Sequence, residues 1–185
     1  MESKIQASGK IIVFFHSYLF ILFIITMPDI PRIRLQIKEL ISTSWPAILT
    51  TVDESGMPFT RAMNNLHHKN ESNFAQSTFF ARQGDWTFFF RTHKSSAKVR
   101  QMGKANVFYG QGREMSGLTL LGTIRELNDP KIKETLWRDE WENFFPYGVT
   151  DPEYTVLKFD AVEFRLFTPI DDEFKRINGP VKDLK

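Results

Sequence analysis

The sequence predicts a mainly β chain of the α+β class, a six-stranded antiparallel barrel with helices packed outside it. Three observations carry that expectation. Short runs rich in β-branched and aromatic residues recur between residues 47 and 167, bounded by Gly, Asn, Asp and Pro. Most of these runs are joined without the helices that parallel crossovers require. And 185 residues with 42% apolar content suffice for one core that needs no disulfide, which suits a chain without cysteine. The missing cysteine also excludes thiolate zinc sites and cysteine nucleophiles. A net charge of +2 is too mild to announce a nucleic-acid binder, because backbone affinity comes from clustered charge.

Taken in order, residues 1–27 form an apolar N-terminal extension. Ile11 to Met27 carries no formal charge and follows Lys4 and Lys10. Three readings are open for it: an upstream extension with Met27 as the true start, an N-terminal membrane anchor, or a cleaved signal. Membrane contact is expected only if residues 11–27 are retained; otherwise the expected location is cytoplasmic. The domain is expected over residues 28–170, with residues 171–185 as a charged tail, either an ordered edge or a loose end.

Asp29 and Pro31 supply a cap and a helix-compatible φ, and Ile33, Ile37, Leu40 and Ile41 recur at helical spacing, which predicts a helix over 31–43. Ala47 to Val52 reads as a strand, Asp53-Glu54-Ser55-Gly56 as a turn, and Met57 to Leu66 as its antiparallel return. Residues 67–77 are polar and read as a loop. Trp86 to Thr92 is an aromatic strand, Ser95 or Ser96 caps a short helix reaching about Met102, and Asn106 to Tyr109 is a further strand. Leu118 to Leu127 is a long strand whose interior Gly122 marks a bulge or a close backbone approach. Asp129 and Pro130 start another helix, Phe144 to Tyr154 is a loop, and Thr155 to Phe167 is the last strand.

The chain lacks the phosphate-loop, dinucleotide, nucleophile-elbow and zinc-helix motifs. His67-His68 reads as solvated loop rather than metal ligation, Asp139, Glu140 and Glu142 as solvated surface, and Trp137 with Trp141 as core packing. What remains is hydroxyl-bearing and basic residues near strand ends. Arg61 lies on the return strand of the first hairpin, and Arg91 to Lys98 bridges an aromatic strand and a helix start. Singly, Arg61 and Lys98 read as exposed solubilising charges. Together they suit one phosphate monoester, gripped by an Arg fork, a Lys point charge and Ser and Thr hydroxyls.

These segments together resemble the pyridoxamine 5′-phosphate oxidase-like, FMN-binding split-barrel superfamily, and within it the general stress protein 26-like branch. The resemblance rests on PAILTTVDESGMPFTRAM with Arg61 and Met63, FFFRTHKSSAKVRQM, NVFYG, LTLLGTIREL, DPKIKETLW and FFPYGVTDPEYTVLKF. In the last of these Phe145, Pro146, Gly148, Asp151 and Pro152 carry the branch's F-P-x-G-x-x-D-P pattern. It implies a six-stranded antiparallel split β-barrel with flanking helices, working as a homodimer with FMN at the subunit interface. By position, Arg61, Ser96 and Lys98 would hold the FMN phosphate, the backbone of Ala62, Met63 and Asn64 would run beside the isoalloxazine ring, and Thr92 would contact the flavin. Ala97 replaces the second residue of the oxidase S-R-K pattern, Phe167 stands where Trp is common, and no Gln precedes Gly122 where the oxidases place one. The resemblance therefore implies a flavin-dependent oxidoreductase acting on an unknown small substrate. A non-catalytic flavin or haem binding protein is the alternative. A small β-barrel that stacks nucleic-acid bases on Trp86 to Phe90 ranks lower, so no nucleic acid is expected as a partner.

Overall fold

The computed structural model describes residues 29–71, 74–111, 115–170 and 173–184. The Ile11–Met27 segment lies outside these residues, and among them no helix is long and apolar enough to cross a membrane. Asp29 accepts a hydrogen bond from the Arg32 amide and opens helix α1 (Ile30–Thr43), which buries Ile33, Ile37, Leu40 and Ile41 as its spacing predicts. Strands β1 (Ala47–Val52) and β2 (Pro58–Met63) pair antiparallel around a turn that Asp53 ties together. Its Oδ1 accepts from the Ser55 and Met57 amides, while Gly56 adopts φ +86°.

The polar run expected to be a loop at 67–77 instead leads into helix α2 (Phe74–Gln83). Its buried side includes Gln76, which is fully buried and donates to the Leu136 carbonyl. A polar residue buried through a hydrogen bond leaves no hydrophobic period to read. The preceding His67 is not solvated either. Its ring stacks on Phe80 with centroids 4.1 Å apart, Nε2 is buried with no partner among the described residues, and burial lowers its pKa to about 3.

Strand β3 (Thr87–His93) is buried on both faces. Phe88 and Phe90 enter the barrel core, and Phe89 enters a second cluster with Phe80, Leu136 and Phe145. These rings are filled by neighbours, which removes the platform needed to stack bases. After the short α3 (Ala97–Arg100) come β4 (Gly103–Gln111), β5 (Ser116–Leu127) and α4 (Pro130–Leu136), the last capped by Asp129 as expected. Helix α4 ends before Trp137, so Trp137 and Trp141 share no helix face. They still meet edge-on at 6.0 Å, and Trp141 is core. In the FPYGVTDP loop the buried Asp151 accepts from the Tyr147 and Glu153 amides, so that motif works as a loop clamp.

Strand β6 (Tyr154–Ile170) is long enough to serve two neighbourhoods, pairing with β3 at its start and with β7 (Glu173–Pro180) at its end. Six antiparallel strands in the order β2-β1-β4-β5-β6-β3 form a curled half-barrel, with β7 added beside β6. Leu49, Val107, Leu120 and Phe159 line its inside, and α1 packs on the same core. The two edges of the curl are β2 and β3, which do not pair with each other. This opening is the split. Where β5 crosses β6 the register shifts between Leu121 and Gly122, and a Cβ on Gly122 would lie 2.1 Å from the Asp160 carbonyl oxygen. The glycine is needed for close approach, as its position in the strand predicts.

Two outcomes follow for stability. Gly122→Ala must push β5 and β6 apart, and is expected to lose at least about 1–3 kcal/mol in denaturant unfolding; wild-type stability would show that the strands do not pack this closely. His67 binds a proton in the unfolded chain near pH 6.5 but in the folded chain only near pH 3. Its contribution is therefore complete above about pH 6.5 and is lost as the pH falls, at up to roughly tenfold in the folding equilibrium per pH unit. His67→Phe should flatten the pH dependence of urea unfolding between pH 6 and 4 by about one proton; an unaltered slope would contradict the burial.

Candidate anion-binding site

The split brings together two groups of residues that are remote in sequence. On one edge, Arg61 lies opposite Leu49 in the β1–β2 register and so shares the barrel's inner face at its lip. Its Nη1 donates to Thr51 Oγ1 at 2.6 Å and its Nη2 to Gln101 Oε1 at 3.0 Å. Thr51 Oγ1 in turn donates to Gln101 Oε1 at 2.6 Å, closing a ring of three side chains. On the other edge, Thr92 is a buried residue of β3. Lys98 Nζ donates to Thr92 Oγ1 at 2.9 Å and to Ser96 Oγ at 2.5 Å. Ser96 sits at the N-cap of α3 but makes no side-chain cap; its hydroxyl is turned to the lysine. With only four residues, α3 falls short of the expected helix to Met102, so side chains rather than helix-start amides dominate this edge.

Electrostatics characterise this cluster. Burial lowers the pKa of Arg61. Burial lowers that of Lys98 as well, and the nearby Arg61 charge lowers it further. The two cations therefore sense each other across the split. Their hydrogen-bond partners are hydroxyls and an amide oxygen, and among the described residues neither meets a carboxylate. Other basic residues do: Arg138 with Glu71 at 2.6 Å, Arg165 with Glu163 at 3.2 Å and Lys158 with Asp160 at 3.0 Å. Partly desolvated like charges without a counter-ion are poised for an external anion.

The other expected positions are placed as follows. Ala62 is exposed on edge strand β2 with its backbone beside the opening, Met63 turns its side chain into the core, and Asn64 is half-buried just beyond the strand. Arg91 is not brought to the site. It projects from the opposite face of β3, its guanidinium 4.8 Å from the Trp141 ring and 4.7 Å from that of Phe144. Thr51 and Gln101 escaped the sequence reading. Their signals were a threonine at an inward-facing position of β1, which alternates inward through Ala47 and Leu49, and a glutamine three residues after Lys98. A cleft of about 810 Å³ also lies on the outer sheet face beside Phe108, Gly117, Arg165 and Arg176. It contains none of the expected residues, and its Arg165 already has Glu163 as partner.

The sequence of residues 33–168 matches the pyridoxamine 5′-phosphate oxidase family. The chain belongs to this family. None of the curated proteins matches. Among solved structures, a Clostridium acetobutylicum protein related to general stress protein 26 of B. subtilis (pyridoxinephosphate oxidase family) is 25% identical with a TM-score of 0.66, covering 85% of this chain and 100% of that one. General stress protein 26 from Bacillus anthracis shares the fold at 18% identity and a TM-score of 0.57, over 78% of this chain and 98% of its own. The general stress FMN/FAD binding protein from Xanthomonas citri does so at 15% identity and 0.54, over 76% and 92%. The curled sheet described above is thus the family's fold, and the Arg61–Lys98 cluster lies within the matched residues.

Proposed function

We propose that this member of the pyridoxamine 5′-phosphate oxidase family is an FMN-binding flavoprotein, and a flavin-dependent oxidoreductase acting on a small substrate. One observation carries the reading: Arg61 and Lys98 converge from the two edges of the split with no carboxylate between them. A phosphate monoester, with a charge between about −1.5 and −2, matches two cations. The FMN/FAD binding named for the Xanthomonas citri protein of the same fold supports the choice of a flavin.

The residues present fit the group. Arg61, Lys98 and Ser96 would hold the phosphate, and Thr92 would lie against the cofactor beside them. The edge backbone from Ala62 to Asn64 would offer amides to the ring, since an edge strand leaves half its backbone groups unpaired. Bound FMN supplies hydride chemistry itself, so the protein needs no conspicuous acid and base pair. The chain's own work is to grip the phosphate, orient the ring and shield it from water. Exposed apolar side chains on β1, β2, their turn and β4, namely Val52, Phe59, Met57 and Phe108, support a second copy of the chain as their cover. In the proposed homodimer the site would lie at the subunit interface.

Purified protein is expected to be yellow, with absorbance and mass spectrometry identifying FMN. Arg61→Ala and Lys98→Ala each remove charge-assisted hydrogen bonds worth about 1.5–3 kcal/mol, so each should weaken FMN roughly 10- to 100-fold. Unchanged affinity in both variants would contradict the site. Bleaching by a reductant followed by fast recovery on adding an acceptor would mark an enzyme; a slow recovery indifferent to acceptor would mark a flavin carrier.

A further inference from the structure

Gln101 is hydrogen-bonded to both cations of the split. Its backbone amide donates to the Lys98 carbonyl at 3.2 Å, where it caps the C-terminal end of α3. Its side chain meets Arg61 Nη2 at 3.0 Å, and the atom there has to be Oε1, because arginine carries donors and no acceptor. The same oxygen accepts from the buried Thr51, whose Oγ1 accepts in turn from Arg61 Nη1. Arg61 is thus braced at both Nη atoms by neutral oxygens, one from β1 and one from the segment that carries Lys98. Each Nη keeps a second N–H for a ligand.

That brace spans a gap the sheet leaves open. Strands β2 and β3 do not pair, so no ladder between them sets how far Arg61 stands from Lys98. The two like charges also oppose each other, since the Arg61 charge makes the Lys98 charge harder to keep. A carboxylate at position 101 would hold Arg61 but would also neutralise it, whereas an amide oxygen holds it and leaves its charge for the ligand.

We propose that Gln101 is a positioning residue of the anion site, a neutral strut that holds the Arg61 guanidinium in place relative to the Lys98 ammonium and so sets the pair to grip one phosphate group. The inference rests on the anion-binding reading of the split. Gln101 does not touch the anion in this role. It acts through Arg61, so its influence has to vanish when Arg61 is absent.

The test titrates the full chain with FMN and with riboflavin, which lacks the phosphate. Gln101→Met removes the acceptor, and should weaken FMN about tenfold while leaving riboflavin unchanged. Added to Arg61→Ala, it should cause no further loss of FMN. Gln101→Asn keeps the amide but is one methylene too short to reach Arg61, and should behave as Gln101→Met does. If the wild type prefers FMN and either variant, folded, keeps that preference in full, the strut is overturned and the anion site stands. Equal losses for FMN and riboflavin would overturn it too, showing a general structural role. A further loss of FMN on top of Arg61→Ala would also overturn it, because Gln101 would then act apart from Arg61. If the wild type does not distinguish the two flavins, the anion site and the strut fall together.

Discussion

Two positive side chains meeting across the open side of the sheet, Arg61 on β2 and Lys98 on α3, are the constraint on which the proposed chemistry depends. A sheet that closed fully would have paired β2 with β3 and used their backbone groups in a ladder. Here the curl stops short, and the lip of the barrel keeps Arg61 on one side and Thr92, Ser96 and Lys98 on the other. Each cation is held by oxygen atoms without charge, so each is oriented but not neutralised. Everything proposed about function follows from that separation of orientation from neutralisation.

The scaffold makes the arrangement affordable in conformational terms. Long β6 ties β3 to β5, and the close crossing at Gly122 sets how sharply the sheet bends. The aromatic cluster of Phe80, Phe89, Trp141 and Phe145 backs β3 on its outer face, so an edge strand is rigid although one side of its ladder is open. Site residues on such strands keep their geometry better than residues on loops.

Much of this was legible in the sequence where one physical signal dominated. The helical spacing of Ile33, Ile37, Leu40 and Ile41, the Asp129-Pro130 helix start and the interior Gly122 were each legible locally, and the structure agrees. Arg61 and Lys98 stood out as a pair only when two separate segments were taken together. The unread features are those in which polarity was misleading. Gln76 is polar by type but buried, and His67 is half-buried with its Nε2 enclosed, which hid α2 and its aromatic stack. Of the two readings open for the charged tail, an ordered edge or a loose end, Glu173–Pro180 is the edge, pairing with β6 and helped by Phe174 stacking on Phe167 at 5.0 Å. Thr51 and Gln101 act through geometry that spans 50 residues, and no local pattern announces them.

The most direct test of the central claim is a crystal structure of the chain grown with FMN. The account predicts that the phosphate lies in the split, within hydrogen-bond reach of both the Arg61 guanidinium and the Lys98 ammonium. A phosphate bound at any other place on the molecule, with the split filled only by solvent, would contradict it.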